Sequence, residues 1–159
     1  MPIVIKPIGV IHSPFKELEI MPIQPKSAVG KLGEVVVDDA YAAGLQDLEG
    51  FSHIYLIYIF HQCQKTKLKV IPFMDVVERG VFATRAPVRP NHIGLSVVKL
   101  LEVKGNTLLI EGVDVLDGTP LLDIKPYVAK FDQVVSSRDG WITAGDDEIS
   151  QKRSDSRFC

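Results

Sequence analysis

The sequence predicts a mainly β domain, a single-sheet barrel or rolled sheet carrying one short helix. Three observations lead there. About seven short β-branched and apolar runs are separated by Gly, Pro, Asn and Asp turns. Helical spacing occurs once, at residues 40–48. There is no strand–helix–strand rhythm and no Gly-x-Gly-x-x-Gly loop, so no Rossmann domain is expected.

In order, residues 3–12 read as a strand, ended by Ser13-Pro14 because the proline holds Ser13 extended. Residues 16–30 form a long loop with Pro22 and Pro25, of a length often functional in a compact domain. Residues 31–37 are a second strand. Asp38-Asp39 starts the helix of residues 40–48, with Tyr41, Leu45 and Leu48 on one face and Gly50 beyond its end. Residues 51–60, FSHIYLIYIF, are apolar on both faces and predict a central, buried strand. Residues 65–74 form a strand that carries lysines, and 80–83 a short one. Residues 95–103 and 107–113 pair as a hairpin across Lys104-Gly105-Asn106. Residues 121–124 close the sheet. From Ser136 the composition turns polar. The expected division is a barrel domain over 1–135 and a polar tail over 136–159, its last ten residues disordered.

The 159 residues fit one domain, with 46% apolar and 24% charged side chains. No run approaches the roughly 18 apolar residues of a membrane helix, and the first ten residues do not read as a signal peptide. Cys63 and Cys159 suggest two free thiols in a reducing cytoplasm. His12, His53, His61 and His92 show no ligand spacing, so no metal is expected. The net charge of −2 conceals a positive band: residues 61–104 hold 8 basic and 3 acidic side chains. Such a band suits phosphate, although lysines also decorate exposed strands.

Two segments are too specialised for framework. In GVFATRAPVRPNHIGLS (80–96), Pro87 and Pro90 stiffen a turn holding Arg85 and Arg89, whose planar forks suit carboxylate or phosphate. Asn91 can read an adenine edge or cap a turn, and Gly94 permits close approach. In GVDVLDGTPLLDIKPY (112–127), the Asp117-Gly118 turn offers a carboxylate beside free backbone amides. His61 and Gln62 follow the central strand, a rigid support for a ligand contact.

These two segments, with IGVIHSPFKE (8–17) and FSHIYLIYIFHQ (51–62), resemble the tRNA N6-threonylcarbamoyladenosine methyltransferase family, in the same order and over residues 3–129. The resemblance implies a TsaA-like single-sheet barrel, a homodimer, S-adenosyl-L-methionine as methyl donor and N6 of threonylcarbamoyladenosine at tRNA position 37 as acceptor. By position in its motifs, Ile23, Gln24, Pro25, His61, Gln62, Arg85, Leu95, Leu116, Asp117, Gly118 and Thr119 line the cofactor site. The pattern departs at His92, where the family usually has proline; the histidine either loosens the loop or adds a titratable contact.

Because the donor methyl is already activated, alignment and water exclusion are the main requirements. Asp117 is expected either to take the proton of the acceptor amine or to hold the cofactor. Arg85 is expected to neutralise the carboxylate of the cofactor or of the threonyl group. Arg89, Asn91, Lys65, Lys67 and Lys69 are expected to face tRNA. Three alternatives stay open: a cofactor-binding protein without turnover, a methyltransferase for another small substrate, and a plain RNA-binding barrel.

Overall fold

The computed structural model describes residues 1–17, 23, 28, 30–143, 145, 149, 152 and 153. Its strands are β1 (Gly9–His12), β2 (Leu32–Val37), β3 (His53–Ile59), β4 (Lys69–Val70), β5 (Arg79–Gly80), β6 (Ile93–Lys104), β7 (Thr107–Glu111) and β8 (Thr119–Pro126). Six of them close into an antiparallel barrel in the order β1-β2-β7-β6-β3-β8, while β4 and β5 form a separate ribbon. The expected mainly β barrel is borne out.

Alternation explains the packing. Along β3, Ile54, Leu56 and Tyr58 point into the barrel and the residues between them are half-buried. The strand is central, lying between β6 and β8, but only one of its faces is core. The twelve residues of β6 serve two neighbours: residues 93–99 pair with β3, and residues from Lys99 onward pair with β7. The β6–β7 hairpin turns where expected, with Lys104 opposite Thr107. Ile11, Val35, Ile54, Leu108, Ile110 and Leu121 are fully buried at its centre. Truncating one such leucine or isoleucine to alanine costs about 2–5 kcal/mol.

A second apolar cluster lies beside the barrel, made of Cys63, Val70, Val81, Ala86 and Val88. Phe60 packs against both clusters, so the end of β3 ties the β4–β5 lobe to the barrel. Trp141 reinforces the lobe from the chain beyond residue 135: its Nε1 donates to the Ala83 carbonyl at 2.8 Å and its ring lies 5.6 Å from the Arg79 guanidinium.

Several elements differ from expectation. The first strand begins only at Gly9, because Pro7 has no N–H for a ladder, and Ile3, Val4 and Ile5 are exposed. The helix of residues 40–48 is two short 3₁₀ turns, Asp39–Leu45 and Leu48–Gly50; Gly44 weakens the first, and only Leu45 and Leu48 are buried. The lysine-bearing strand shrinks to Lys69–Val70, leaving Lys65 and Lys67 in an exposed loop. Residues 81–83 form a 3₁₀ turn instead of a strand. The short α-helix α1 (Ala129–Asp132) has no counterpart among the expected elements. Cys63 is disulfide-bonded and not a free thiol; Cys159 lies outside the described residues.

Candidate functional site

The 80–96 segment is built as a pinned turn. Thr84 Oγ1 donates to the Val81 carbonyl at 2.8 Å and accepts from the Ala86 N–H. Arg89 Nη1 donates to the carbonyls of Thr84 and Ala86, at 2.9 and 3.1 Å. His92 has φ 51° and its Nδ1 donates to the Pro87 carbonyl at 2.9 Å, while its own carbonyl accepts from the Phe60 N–H. His92 therefore adds a contact and fastens the turn instead of loosening it. Arg89 acts as an internal clamp, which leaves Arg85 as the exposed arginine of the turn.

The 112–127 segment is tied mainly to the stretch around β1. Asp117 meets Lys16 Nζ at 2.6 Å, the Ser13 N–H at 3.1 Å and His12 Nδ1 at 3.2 Å. The Lys16 ammonium, with the Ser13 and His12 contacts, holds its carboxyl down at about 2. Such a group is a poor proton acceptor at neutral pH, so the structure does not support Asp117 as a base. Nor are the backbone amides of this turn free. Asp117 N–H donates to Phe15, Gly118 N–H to Ile11 and Thr119 N–H to Leu116. Gly118 supplies the positive φ of 82° that the turn requires. Leu116 and Thr119 are buried, and Thr119 Oγ1 donates to the Leu116 carbonyl at 2.6 Å.

A buried polar chain joins the two segments. Ser96 Oγ donates to Asp114 Oδ1 at 2.7 Å, and Tyr58 Oη lies 2.8 Å from the same hydroxyl. Since Ser96 gives its proton to the carboxylate, Tyr58 must be the donor to Ser96. All three side chains are buried. Burial pushes the Asp114 carboxyl up to about 6, opposed by the Ser96 hydrogen bond, its own N–H and the Arg85 charge. Burial and the Asp114 charge also push the Tyr58 phenol up, opposed by the Ser96 hydrogen bond and again by Arg85. Arg85 thus acts electrostatically on both groups.

Gly94 belongs to this arrangement. It sits opposite Tyr58 in the β3–β6 register, and a Cβ there would lie 2.3 Å from Tyr58 Cε2. The close approach expected at Gly94 is that of an aromatic ring. Beside Tyr58 the β3–β8 pairing jumps from Ile57–Asp123 to Tyr58–Leu121, and such a bulge re-aims neighbouring side chains.

Of the other expected residues, His61 is half-buried and Gln62 exposed in the turn after β3. Leu95 is 49% exposed on the outer face of β6, opposite to Ser96. Ile23 is half-buried, and Gln24 and Pro25 lie outside the described residues. Asn91, Lys65, Lys67 and Lys69 are exposed. Sequence reasoning misses Asp114, Ser96 and Tyr58. The available signal is an acid between two valines in Val113-Asp114-Val115, inside an otherwise apolar run. No group of three or more metal-ligating side chains occurs among the described residues.

Comparison with known proteins gives the arrangement a context. Residues 10–133 match the family model described as tRNA-methyltransferase O N-terminal domain. A probable S-adenosyl-L-methionine-binding protein of Pyrococcus abyssi is 53% identical over 96% of this chain and 83% of its own length. The tRNA (adenine(37)-N6)-methyltransferase of Mus musculus is 38% identical over 80% of this chain and 31% of its own length. The crystal structure of TrmO from Pseudomonas aeruginosa superposes with a TM-score of 0.75 at 40% identity, over 89% of this chain and 63% of that one. The chain therefore spans less than two thirds of that solved structure. By the family match and these identities, the chain belongs to the tRNA-methyltransferase O N-terminal domain family.

Proposed function

We propose that this chain is an S-adenosyl-L-methionine-dependent tRNA methyltransferase that methylates N6 of threonylcarbamoyladenosine at position 37. The observation that carries the reading is Arg85, exposed on a turn pinned by Arg89 and His92. The mouse relative's name supports a tRNA adenine acceptor, and the Pyrococcus relative's name supports the cofactor.

The residues present fit such a cofactor. Arg85, exposed on the pinned turn, suits its carboxylate. When bound, S-adenosyl-L-methionine supplies an activated methyl group. The chain's own work is placement: Arg89 and His92 hold the turn, Arg85 binds a carboxylate, and the contacts of Asp117 with His12, Ser13 and Lys16 fix the aspartate-glycine turn. His61, Gln62, Ile23, Gln24, Pro25, Leu95, Leu116, Gly118 and Thr119 complete the proposed cofactor surface, Leu116 and Thr119 as buried supports. Lys65, Lys67 and Lys69, exposed along and before β4, meet tRNA phosphates, and exposed Asn91 joins the proposed interface. The unit that does this is residues 1–135, with 136–159 as an appended tail.

We further propose a homodimer working in the cytoplasm, where tRNA is. Exposed Leu68, Val76 and Phe82 around the lobe supply apolar surface for a second copy. No helix among the described residues is long and apolar enough to cross a membrane. A second reading, a cofactor-binding protein without turnover, is favoured by the Pyrococcus relative's name.

Calorimetric titration of S-adenosyl-L-methionine into the chain and into Arg85→Ala tests the reading. Saturable binding by the parent, and loss of binding or transfer in a folded Arg85→Ala, is expected. Full activity in the variant removes Arg85 from the site.

A further inference from the structure

The barrel wall opens where β6 and β7 part. Their ladder ends at Lys99–Glu111. Gly112 then takes a φ of 89°, and its N–H donates to the Lys31 carbonyl, on the β2 side. The chain that follows keeps to the β1 side. Ser13 Oγ donates to the Val115 carbonyl at 2.6 Å, and the Asp117 and Gly118 N–H groups donate to the carbonyls of Phe15 and Ile11. Across the opening stands the first half of β6. The Phe60 N–H donates to the His92 carbonyl and the Leu100 N–H to the Ser52 carbonyl, so the even-numbered residues of β6 are the ones bonded to β3. Leu95 and Val97 therefore turn their N–H and C=O groups away from β3, to an edge that no second strand pairs among the described residues.

With no ladder across it, the width of this opening must be set by something else. Among the described residues, the 2.7 Å bond from Ser96 Oγ to Asp114 Oδ1 is the one hydrogen bond between residues 93–98 and 112–118. Tyr58 donates to Ser96 from behind at 2.8 Å, and Gly94 is left without a side chain so that the Tyr58 ring fits. All three polar side chains are buried, and among the described residues no buried side-chain nitrogen or oxygen lacks a partner. Burying a carboxyl is costly, and apolar residues at such a place are commonly neutral or better for stability. What a closed polar chain adds is a fixed distance and direction. We propose that Asp114 is a positioning residue: through Ser96 it is the strut that sets the width of the opening between the Leu95 edge of β6 and the Leu116–Thr119 turn, and with it the fit of the cofactor held between them. The proposal rests on the methyltransferase reading for its ligand and on the barrel alone for the strut. A ligand held between two walls gains from walls already in place, so a loosened strut lowers affinity without unfolding the chain.

The test removes the whole chain at once, in Tyr58→Phe/Ser96→Ala/Asp114→Val, because replacing every partner by an apolar group leaves no polar atom stranded and keeps stability near the parental value. The first arm needs no ligand. Amide hydrogen exchange at Asp117 and Gly118 is expected to run about tenfold faster in the variant, with the amides of the β2–β7 ladder unchanged. Parental exchange at Asp117 and Gly118 overturns the strut. The second arm is calorimetry with S-adenosylhomocysteine, expected to bind about tenfold more weakly to the variant at an unchanged melting temperature. Parental affinity overturns the positioning role, since a group that serves stability alone would leave the affinity of a folded variant as it was. A parent that does not bind S-adenosylhomocysteine overturns the methyltransferase reading and the ligand half of the proposal, while the exchange arm still decides the strut. Should the triple variant fail to fold, Ser96→Ala is compared with Leu108→Ala, a core truncation in β7, both below their melting temperatures. Affinity lost in Ser96→Ala and kept in Leu108→Ala is the expected result; equal affinities overturn the proposal.

Discussion

Ser96 and Asp114 are joined by a 2.7 Å hydrogen bond that links the arginine turn to the aspartate-glycine segment inside the barrel wall. All four stretches that carry the family resemblance meet around it. Tyr58 comes from the central strand, and the 112–127 loop is laced to residues 11–16 by backbone and side-chain bonds. Removing the hydroxyl in Ser96→Ala strips a donor from Asp114 and leaves the Tyr58 phenol without its acceptor. The expected cost is about 1–3 kcal/mol in chemical denaturation. The Asp114 carboxyl should also move up from about 6, because the Ser96 bond favours its charged form. The acid limb of the pH–rate profile should then shift to higher pH. A variant of parental stability with an unmoved limb would show that the bond does not matter.

Gly94→Ala is expected to be among the most damaging single-methyl changes in the chain. Its Cβ would fall 2.3 Å from Tyr58 Cε2 and 2.9 Å from Phe60 Cζ, atoms held in the core and in an edge-to-face ring pair. Overpacking of this kind costs about 1–3 kcal/mol, and the displaced ring takes the phenol away from Ser96. Thermal melting together with methyl transfer checks this. Parental values of both would show that the ring moves freely.

Asp117 leads to a pH prediction of opposite sign. Its carboxyl is held at about 2, below its ordinary value, chiefly by Lys16. The folded state therefore prefers the ionised form. The resulting stability is present above about pH 4 and is lost as pH falls toward 2. Asp117→Asn should flatten the decline of the melting temperature across that window and leave the Asp114 titration in place. An unaltered acid decline in the variant contradicts the assignment.

Lys65, Lys67 and Lys69 are exposed and belong to the positive band. Changing all three to alanine should weaken tRNA binding and lower the slope of log K against log salt by about one for each phosphate left without a lysine. Fluorescence anisotropy at several salt concentrations measures it. An unchanged slope moves the tRNA surface elsewhere on the molecule.

What can be read from the sequence follows the range of the interactions. The FSHIYLIYIF strand and the hairpin at Gly105-Asn106 are legible because a continuous apolar run and turn chemistry are local. The short helix is misleading because its periodicity rests on three apolar positions, and tertiary packing accepts two 3₁₀ turns instead. The four residues of α1 are too few to show a period. At the site, the arginine turn is visible through its prolines. The amides after Leu116 look free in the sequence and are not, because their acceptors on Ile11 and Phe15 lie on the first strand and the loop after it, far away in sequence. Asp114 escapes notice for the same reason. Its meaning depends on Ser96 and Tyr58, which come from other parts of the chain, and only folding brings them together.

The most direct measurement of the central claim incubates the chain with methyl-labelled S-adenosyl-L-methionine and tRNA that carries or lacks the threonylcarbamoyl group, then digests the tRNA and identifies the labelled nucleoside. The account predicts label on N6 of threonylcarbamoyladenosine from position 37, with none from the unmodified tRNA. Saturable cofactor binding with no labelled nucleoside, or label on a different base, would contradict it.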